Sequence, residues 1–277
     1  MRCLVTGCAG FIGSTLSEAL IKKGHEVTGV DCFTGYYSKE LKESNISHLL
    51  ENSDFTFLEK DIVNDLEVDA DVVFHLAAQP GVRMSWGRDF DLYVRNNILA
   101  TQRLLEACQN IKKFVFASSS SVYGNVPAPF REDQYLAPLS PYGISKLCCE
   151  QLCKAYSGKF DVAVLRLFTV YGPRQRPDMA FNKFIRAALS EEEITIYGDG
   201  SQVRDFTYVD DVVEGLINSA SVRGFEIFNI GNSHSFALFE VLEMLDSIVG
   251  KLRISYKDAM KGDMIKTLAD ISKAQRM

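Results

Sequence analysis

The apolar run Arg2-Cys3-Leu4-Val5-Thr6 leads without a break into Gly7-Cys8-Ala9-Gly10-Phe11-Ile12-Gly13. A short strand, a turn with G-x-x-G-x-x-G spacing and the start of a helix make the setting in which glycines serve an anion. They permit a tight turn, close approach of the backbone to a pyrophosphate and close packing of helix on strand. The helix N-terminus then faces the negative charge. The spacing differs from G-x-G-x-x-G, but the strand-to-helix context is the one the fingerprint requires. Asp31 closes the second strand about twenty residues on, where a carboxylate binds adenosine ribose hydroxyls and repels a 2′-phosphate. NAD is therefore expected in preference to NADP.

The rest of the first half keeps the same rhythm. Strands are expected at Arg2–Thr6, Glu26–Asp31, Phe55–Glu59, Val72–Leu76, Lys113–Ala117 and Asp161–Leu167. Helices are expected at Phe11–Lys23, Asn97–Gln109 and Pro141–Tyr156. Nearly continuous β-branched strands alternating with helices imply a parallel sheet covered on both faces. After Phe168 the rhythm loosens into Gly172-Pro173-Arg174-Gln175-Arg176-Pro177 and Gly198-Asp199-Gly200-Ser201, both rich in helix and strand breakers. A smaller lobe is expected there, with Glu226–Ile230 returning to the sheet. The last residues, 270–277, read as a helix just begun, so the C-terminus is expected to be incomplete.

Tyr142-Gly143-Ile144-Ser145-Lys146 puts a phenol and an ammonium one helical turn apart. A tyrosine is ordinarily no base at neutral pH, because the phenol pKa is about 10. An ammonium held beside it stabilises the phenolate and makes general-base chemistry accessible. Alone, the spacing also fits helix decoration.

Composition excludes several classes. A net charge of −6 argues against broad nucleic-acid or anionic-membrane binding. No stretch approaches the roughly eighteen apolar residues of a membrane span, and the N-terminus has no signal-peptide pattern. The seven cysteines are odd in number and lack Cys-x-x-Cys spacing. Buried free thiols in a reducing cytoplasm are expected rather than a metal site.

Four motifs taken in order resemble the extended short-chain dehydrogenases, and within them the nucleotide-sugar epimerases and dehydratases. They are the glycine turn, His75-Leu76-Ala77-Ala78, Ser118-Ser119-Ser120-Ser121-Val122-Tyr123-Gly124 with Ser140-Pro141-Tyr142-Gly143-Ile144-Ser145-Lys146, and Arg204-Asp205-Phe206-Thr207-Tyr208-Val209-Asp210-Asp211. The resemblance spans essentially the whole chain. It implies a Rossmann-type doubly wound parallel sheet, an α/β fold, with a smaller α/β substrate-binding lobe. Residues 1–168, with a returning segment near 206–232, would hold NAD, and 169–277 would mainly hold substrate. The family's base falls on Tyr142, its lysine on Lys146 and its hydroxyl on Ser119, with Ser118 and Ser120 as rivals. Cofactor contacts are expected at Gly7, Gly10, Phe11, Ile12 and Gly13, at Asp31, Asp61 and Ile62, at Leu76, Ala77, Ala78 and Asn97, and at Tyr142 and Lys146. His75 reads as a packed strand-end residue rather than a catalyst.

Related 4,6-dehydratases carry Asp-Glu where this chain has Ser120-Ser121, because elimination needs a further acid and base. The serines favour a simple oxidation–reduction cycle, 4-epimerisation through a 4-keto sugar. Thr169 and Arg-Pro-Asp-Met-Ala at 176–180 resemble UDP-glucuronate 4-epimerases, whereas UDP-galactose 4-epimerases usually have Asn at that threonine. A uronate carboxylate suits a hydroxyl and a guanidinium fork. Thr169 and Arg176 are the candidates, with Arg83 and Arg174 as rivals and Ser120 beside them. Asn182, Tyr197, Arg204 and Asp263 resemble the family's diphosphate and uridine contacts. The alternatives are a UDP-glucose/UDP-galactose 4-epimerase and a non-catalytic NAD-binding sensor or scaffold. A homodimer is the family's common form, and no metal, nucleic-acid or membrane partner is expected.

Overall fold

Side-by-side pairing of the apolar runs builds a seven-stranded sheet in the computed structural model, which describes residues 1–64, 66–250, 252–258 and 264–277. The chain runs β1 (Arg2–Thr6), α1 (Phe11–Lys22), β2 (Glu26–Asp31), α2 (Lys39–Ile46), β3 (Phe55–Glu59), β4 (Val72–His75), α3 (Phe90–Tyr93), α4 (Ala100–Ala107) and β5 (Lys113–Ser119). It continues through α5 (Pro141–Tyr156), β6 (Asp161–Leu167), β7 (Thr169–Tyr171), α6 (Ala180–Leu189), β8 (Glu193–Tyr197), β9 (Val203–Tyr208) and α7 (Val209–Ser219). β10 (Phe225–Ile230), β11 (Ser235–Ala237), α8 (Leu238–Val249), β12 (Arg253–Lys257) and α9 (Ser272–Arg276) complete it.

The main sheet is parallel throughout, in the order β3-β2-β1-β4-β5-β6-β10. This is the Rossmann-type doubly wound arrangement, with the strand order reversing between β1 and β4. At such a switch point the connections leave in opposite directions and open a crevice at the carboxyl ends of the strands. Side chains alternate across the sheet. Cys3, Val5, Val115, Ala163 and Leu165 join Leu16, Leu20, Val212 and Leu216 on one face. Leu4, Phe114, Phe116, Val162 and Val164 meet Leu104, Leu105, Cys149 and Cys153 on the other. β10 lies at the sheet edge beside β6, as the sequence led one to expect. Beyond β6, β9 lies between parallel β7 and antiparallel β11, while β12 pairs with β8. Phe184, Ile194, Ile196 and Leu242 form a separate small core in this region.

One helix departs from expectation. It begins at Phe90, not Asn97, and widens to π winding over Val94–Leu99 before resuming as α4. The polar run Arg95-Asn96-Asn97 hides it from periodicity. The Tyr93 hydroxyl lies 2.8 Å from the Pro80 carbonyl and 2.7 Å from that of Gly81, so tertiary contacts draw this turn toward the loop after β4. Wider turns of this kind often sit at functional sites.

α5 is anchored by a buried charge. Glu150 takes both ends of Arg166, at 3.0 and 2.8 Å, and accepts the Ser118 hydroxyl. Arg166 also donates to the Tyr123 hydroxyl at 2.9 Å, which in turn donates to Asn229 at 2.7 Å. Both charged side chains are almost wholly buried. Removing one leaves the other ion without a partner, a loss of about 3–5 kcal/mol. Glu150→Ala should therefore lower unfolding free energy by about that amount in urea titrations. A change within about 0.5 kcal/mol, the range of ordinary surface substitutions, would contradict the role given to this pair.

Candidate functional site

The turn between β1 and α1 is a cradle that only glycine fits. Gly7 has φ +71°, and a Cβ there would lie 2.9 Å from the Ala77 amide nitrogen; one on Gly13 would lie 2.1 Å from the Gly7 carbonyl oxygen. Gly10 caps α1 without a side chain, and no acidic residue occupies the first turn, so the leading amides face the crevice uncapped. The loop is braced from outside by Asn45, which donates to the Ala9 carbonyl at 3.0 Å. Asp31 accepts the Ala9 and Phe33 amides at 3.2 and 2.9 Å.

A cleft runs from this turn along the strand ends. It is lined by Gly7, Gly10, Phe11, Ile12 and Gly13, by Asp31, Asp61 and Ile62 at one end, and by Leu76, Ala77, Ala78, Tyr142 and Lys146 at the other. Glycines that admit a diphosphate, a carboxylate at a strand end and small residues beside β4 fit a dinucleotide along its length. Asp61 is held by Arg95 at 2.5 Å and by the Val63 amide. Burial works to raise its pKa, but these bonds outweigh it and keep the carboxyl below its usual range.

Asn97 stands beside the cleft, whose lining includes its neighbour Asn96. The Asn97 carboxamide accepts the Gln79 amide at 2.6 Å and donates to the Gln79 carbonyl at 3.2 Å and to Ser145 at 2.9 Å. Both of its amide protons and one acceptor site of its oxygen tie the loop after β4 to α5.

α5 starts where the sequence sets its cap: Ser140 accepts the Gly143 amide at 3.1 Å, and Pro141 opens the first turn. Tyr142 and Lys146 consequently share the helix face that borders the cleft. Lys146 donates to the Ala117 carbonyl at 2.8 Å, and its ammonium lies 4.9 Å from the centre of the Phe116 ring. A Cβ on Gly143 would meet the Ser121 carbonyl oxygen at 2.5 Å, so glycine lets α5 approach the serine run.

The structure separates those serines. Ser118 spends its proton on Glu150. The Ser119 oxygen accepts the Ser121 amide at 3.1 Å, which leaves its own proton to donate. All four serines line a second cavity with Thr169, Arg176 and Arg204, so their bonds and not their location distinguish them; Tyr142 and Arg176 border this cavity and the first. Among the described residues lining the second cavity there is no Asp or Glu.

His75 is a packed residue. Thr6 accepts the Leu76 and Ala77 amides through its hydroxyl oxygen and lies 2.8 Å from His75 Nδ1, so its proton goes to the ring. Nε2–H then donates to Thr101 at 3.0 Å, and Thr101 donates to the Cys149 sulfur. Complete burial, with Lys146 nearby, pushes the imidazole down to about 3.

The remaining candidates divide. Arg176 pairs with Asp178 through Nε at 3.0 Å and Nη2 at 3.2 Å. Arg204 donates to the Val203 carbonyl at 2.9 Å. Arg83 stacks on Tyr197 at 4.6 Å, and neither lines the two adjoining cavities. Asn182 is likewise outside them, its amides engaged by Gln175. Arg174 pairs with Glu18 on α1 at 2.7 Å. Asp263, with Met260, Lys261 and Gly262 before it, lies outside the described residues. Tyr36 and Tyr37, which also line the first cleft, went unread in the sequence. Their signal was two aromatics in the loop directly after Asp31.

The family model for the NAD dependent epimerase/dehydratase family matches residues 3–231. The chain is 46% identical to the uncharacterized UDP-glucose epimerase YtcB of Bacillus subtilis, covering 100% of this chain and 92% of that one. It is 40% identical to a UDP-glucuronate 4-epimerase of Thermodesulfobacterium geofontis, covering 99% and 89%. A crystal structure of UDP-glucuronic acid 4-epimerase from Bacillus cereus, in complex with UDP-glucuronic acid and NAD, superposes with a TM-score of 0.95. It is 45% identical, with 100% of this chain and 92% of that chain covered.

His75 yields a pH prediction. With its pKa lowered from 6.5 to about 3 in the folded state, the unfolded chain binds the extra proton between these values. The stabilisation is present above about 6.5 and is lost as pH falls, at up to about 1.4 kcal/mol per unit. Denaturant titrations should give a shallower acid-side slope for His75→Gln than for the wild type. Equal slopes, or an imidazole NMR signal that titrates near pH 6, would overturn the assignment.

Proposed function

The chain belongs to the NAD dependent epimerase/dehydratase family, and we propose that it is an NAD-dependent UDP-sugar 4-epimerase that interconverts UDP-glucuronate and UDP-galacturonate. The observation that carries this reading is the position of Tyr142 where two cavities join. One cavity is shaped for a dinucleotide; the other is lined by hydroxyls and guanidiniums. In this reading residues 1–168, with the segment returning near 206–232, hold NAD, and 169–277 mainly hold the UDP-sugar.

When bound, NAD supplies the hydride acceptor at sugar C4 and, after the 4-keto sugar turns over, the donor to its other face. The amides of the glycine turn hold the diphosphate, and Asp31 takes the adenosine ribose hydroxyls, which favours NAD over NADP. Tyr142 takes the 4-hydroxyl proton and returns it, with Lys146 stabilising the phenolate. Ser119 donates to the same sugar oxygen. Thr169 and Arg176 receive the carboxylate, and Arg204 the diphosphate. With no carboxylate among the described residues of the sugar cavity, no second acid–base pair is at hand for elimination of water.

Leu92, Leu99 and Ile144 are exposed on neighbouring turns of the α3–α4 helix and α5. This supports a homodimer through these helices. The described cysteines are free thiols, which suits a reducing compartment such as the cytoplasm. UDP-glucose is the second substrate reading, favoured by the fact that Arg176 already holds a carboxylate, that of Asp178.

Purified protein incubated with a panel of UDP-sugars and followed by NMR of the anomeric protons should convert UDP-glucuronate to its C4 epimer without forming a pentose. Tyr142→Phe should lower kcat by about 10²–10⁴-fold while NAD remains bound. Turnover of UDP-glucose with none of UDP-glucuronate would move the assignment to the second reading. A 4-keto or pentose end product would refute epimerisation.

A further inference from the structure

Arg176 is the basic side chain that borders both cavities and lies near enough to Tyr142 for their charges to interact. Its guanidinium is already gripped. Asp178 binds the Nε–Nη2 edge in a fork, at 3.0 and 3.2 Å. The Tyr36 hydroxyl donates to Asp178 Oδ2 at 3.0 Å, and the guanidinium lies 5.8 Å from the centre of the Tyr36 ring. Gly81 makes room for this arrangement: at φ +98°, a Cβ there would lie 2.8 Å from the Tyr36 oxygen. Tyr36 comes from the loop after β2 and Asp178 from the loop after β7, so the cluster bridges the cofactor side and the sugar side.

A guanidinium presents five donors, and a carboxylate on the Nε–Nη2 edge leaves the two Nη1 protons and one on Nη2. The bonds to Asp178 use Nε and Nη2 and not Nη1, and the guanidinium also interacts with the Tyr36 hydroxyl. We propose that Asp178, braced by Tyr36, is a positioning residue that holds Arg176 by one edge so that the other edge receives the carboxylate of the sugar. This rests on the reading of the substrate as a uronic acid. Asp178 sits at the rim, where an isolated ion pair adds little stability. Its effect is to fix a long side chain before the ligand arrives, which spares the ordering cost at binding. The sign of that effect separates positioning from rivalry: an Asp178 that merely competed for Arg176 would weaken binding of the same ligand.

The test is calorimetric titration of the NAD-loaded protein with UDP-glucuronate and with UDP-glucose, which shares the nucleotide but lacks the carboxylate. Asp178→Asn should weaken UDP-glucuronate by about tenfold, the scale of ordering one long side chain, and leave UDP-glucose within about twofold. Tyr36→Phe should shift binding in the same direction by less, and Asp178→Glu should restore part of the preference. Unchanged or tighter UDP-glucuronate binding in Asp178→Asn, or an equal loss for both sugars, would overturn the proposal. The wild type reports separately on the substrate: if it turns over UDP-glucose alone, the uronic-acid reading fails. If it turns over UDP-glucuronate and Asp178→Asn binds it as the wild type does, the positioning role fails alone.

Discussion

Everything at the site depends on where α5 lies, and α5 is set by a buried carboxylate. Glu150 is one turn beyond Lys146, and its partners Arg166 and Ser118 belong to β6 and β5. Taking two charges out of water costs several kcal/mol each, and their attraction does little more than offset that. The consequence of the pair is positional: a slip of α5 along the sheet would strand both ions in an apolar interior. The same helix face is fixed at three more points, by Asn97 on Ser145, by Lys146 on the Ala117 carbonyl and by close approach of Gly143 to Ser121. A second chain of contacts, Thr6–His75–Thr101–Cys149, ties β1 and β4 to α4 and α5. The phenol and ammonium therefore project from one of the most constrained helices of the fold.

Charge differs between the joined cavities. Asp31 and Asp61 line the first cleft, as do Lys42, Lys60 and Lys146. Guanidiniums stand at the sugar end, with no described carboxylate lining that cavity. A diphosphate and a uronate carry their negative charge into the second region. On the proposed reading, the basic groups of the second cavity would favour the negatively charged parts of a UDP-sugar.

What the sequence made legible was whatever a local pattern determines. The glycine turn, the parallel strands, the span of α5 and the one-turn spacing of Tyr142 and Lys146 need only neighbours in the chain, and the fold follows from them. The serine run could not be resolved in sequence, because the choice depends on Glu150, thirty-two residues away from Ser118. The loop contacts of Asn97 were hidden for a similar reason: its partners Gln79 and Ser145 are distant in sequence, and only tertiary geometry brings them together. The arginines illustrate this most clearly. In sequence Arg176 is the carboxylate candidate with Arg83 and Arg174 as rivals, and Arg204 reads toward the diphosphate, but none of their partners is visible. Folding gives one a tyrosine ring, one Glu18, one Asp178 and one a backbone carbonyl.

The held guanidinium bears on the fate of a uronic acid as well as on its binding. Oxidation at C4 of such a sugar, in the proposed reaction, makes a β-keto acid. Loss of carbon dioxide from it needs the bond to the carboxyl carbon to align with the carbonyl π system. A carboxylate on a mobile arginine samples that alignment as the side chain turns. One on an arginine held by Asp178 and placed over the Tyr36 ring would be confined to the orientation its fork dictates. On the proposed reading, rigidity at the rim would then contribute to the separation between epimerase and decarboxylase. An enzyme that must return its hydride to the same sugar gains from holding that sugar by two ends, the diphosphate and the carboxylate, while the ring between them turns.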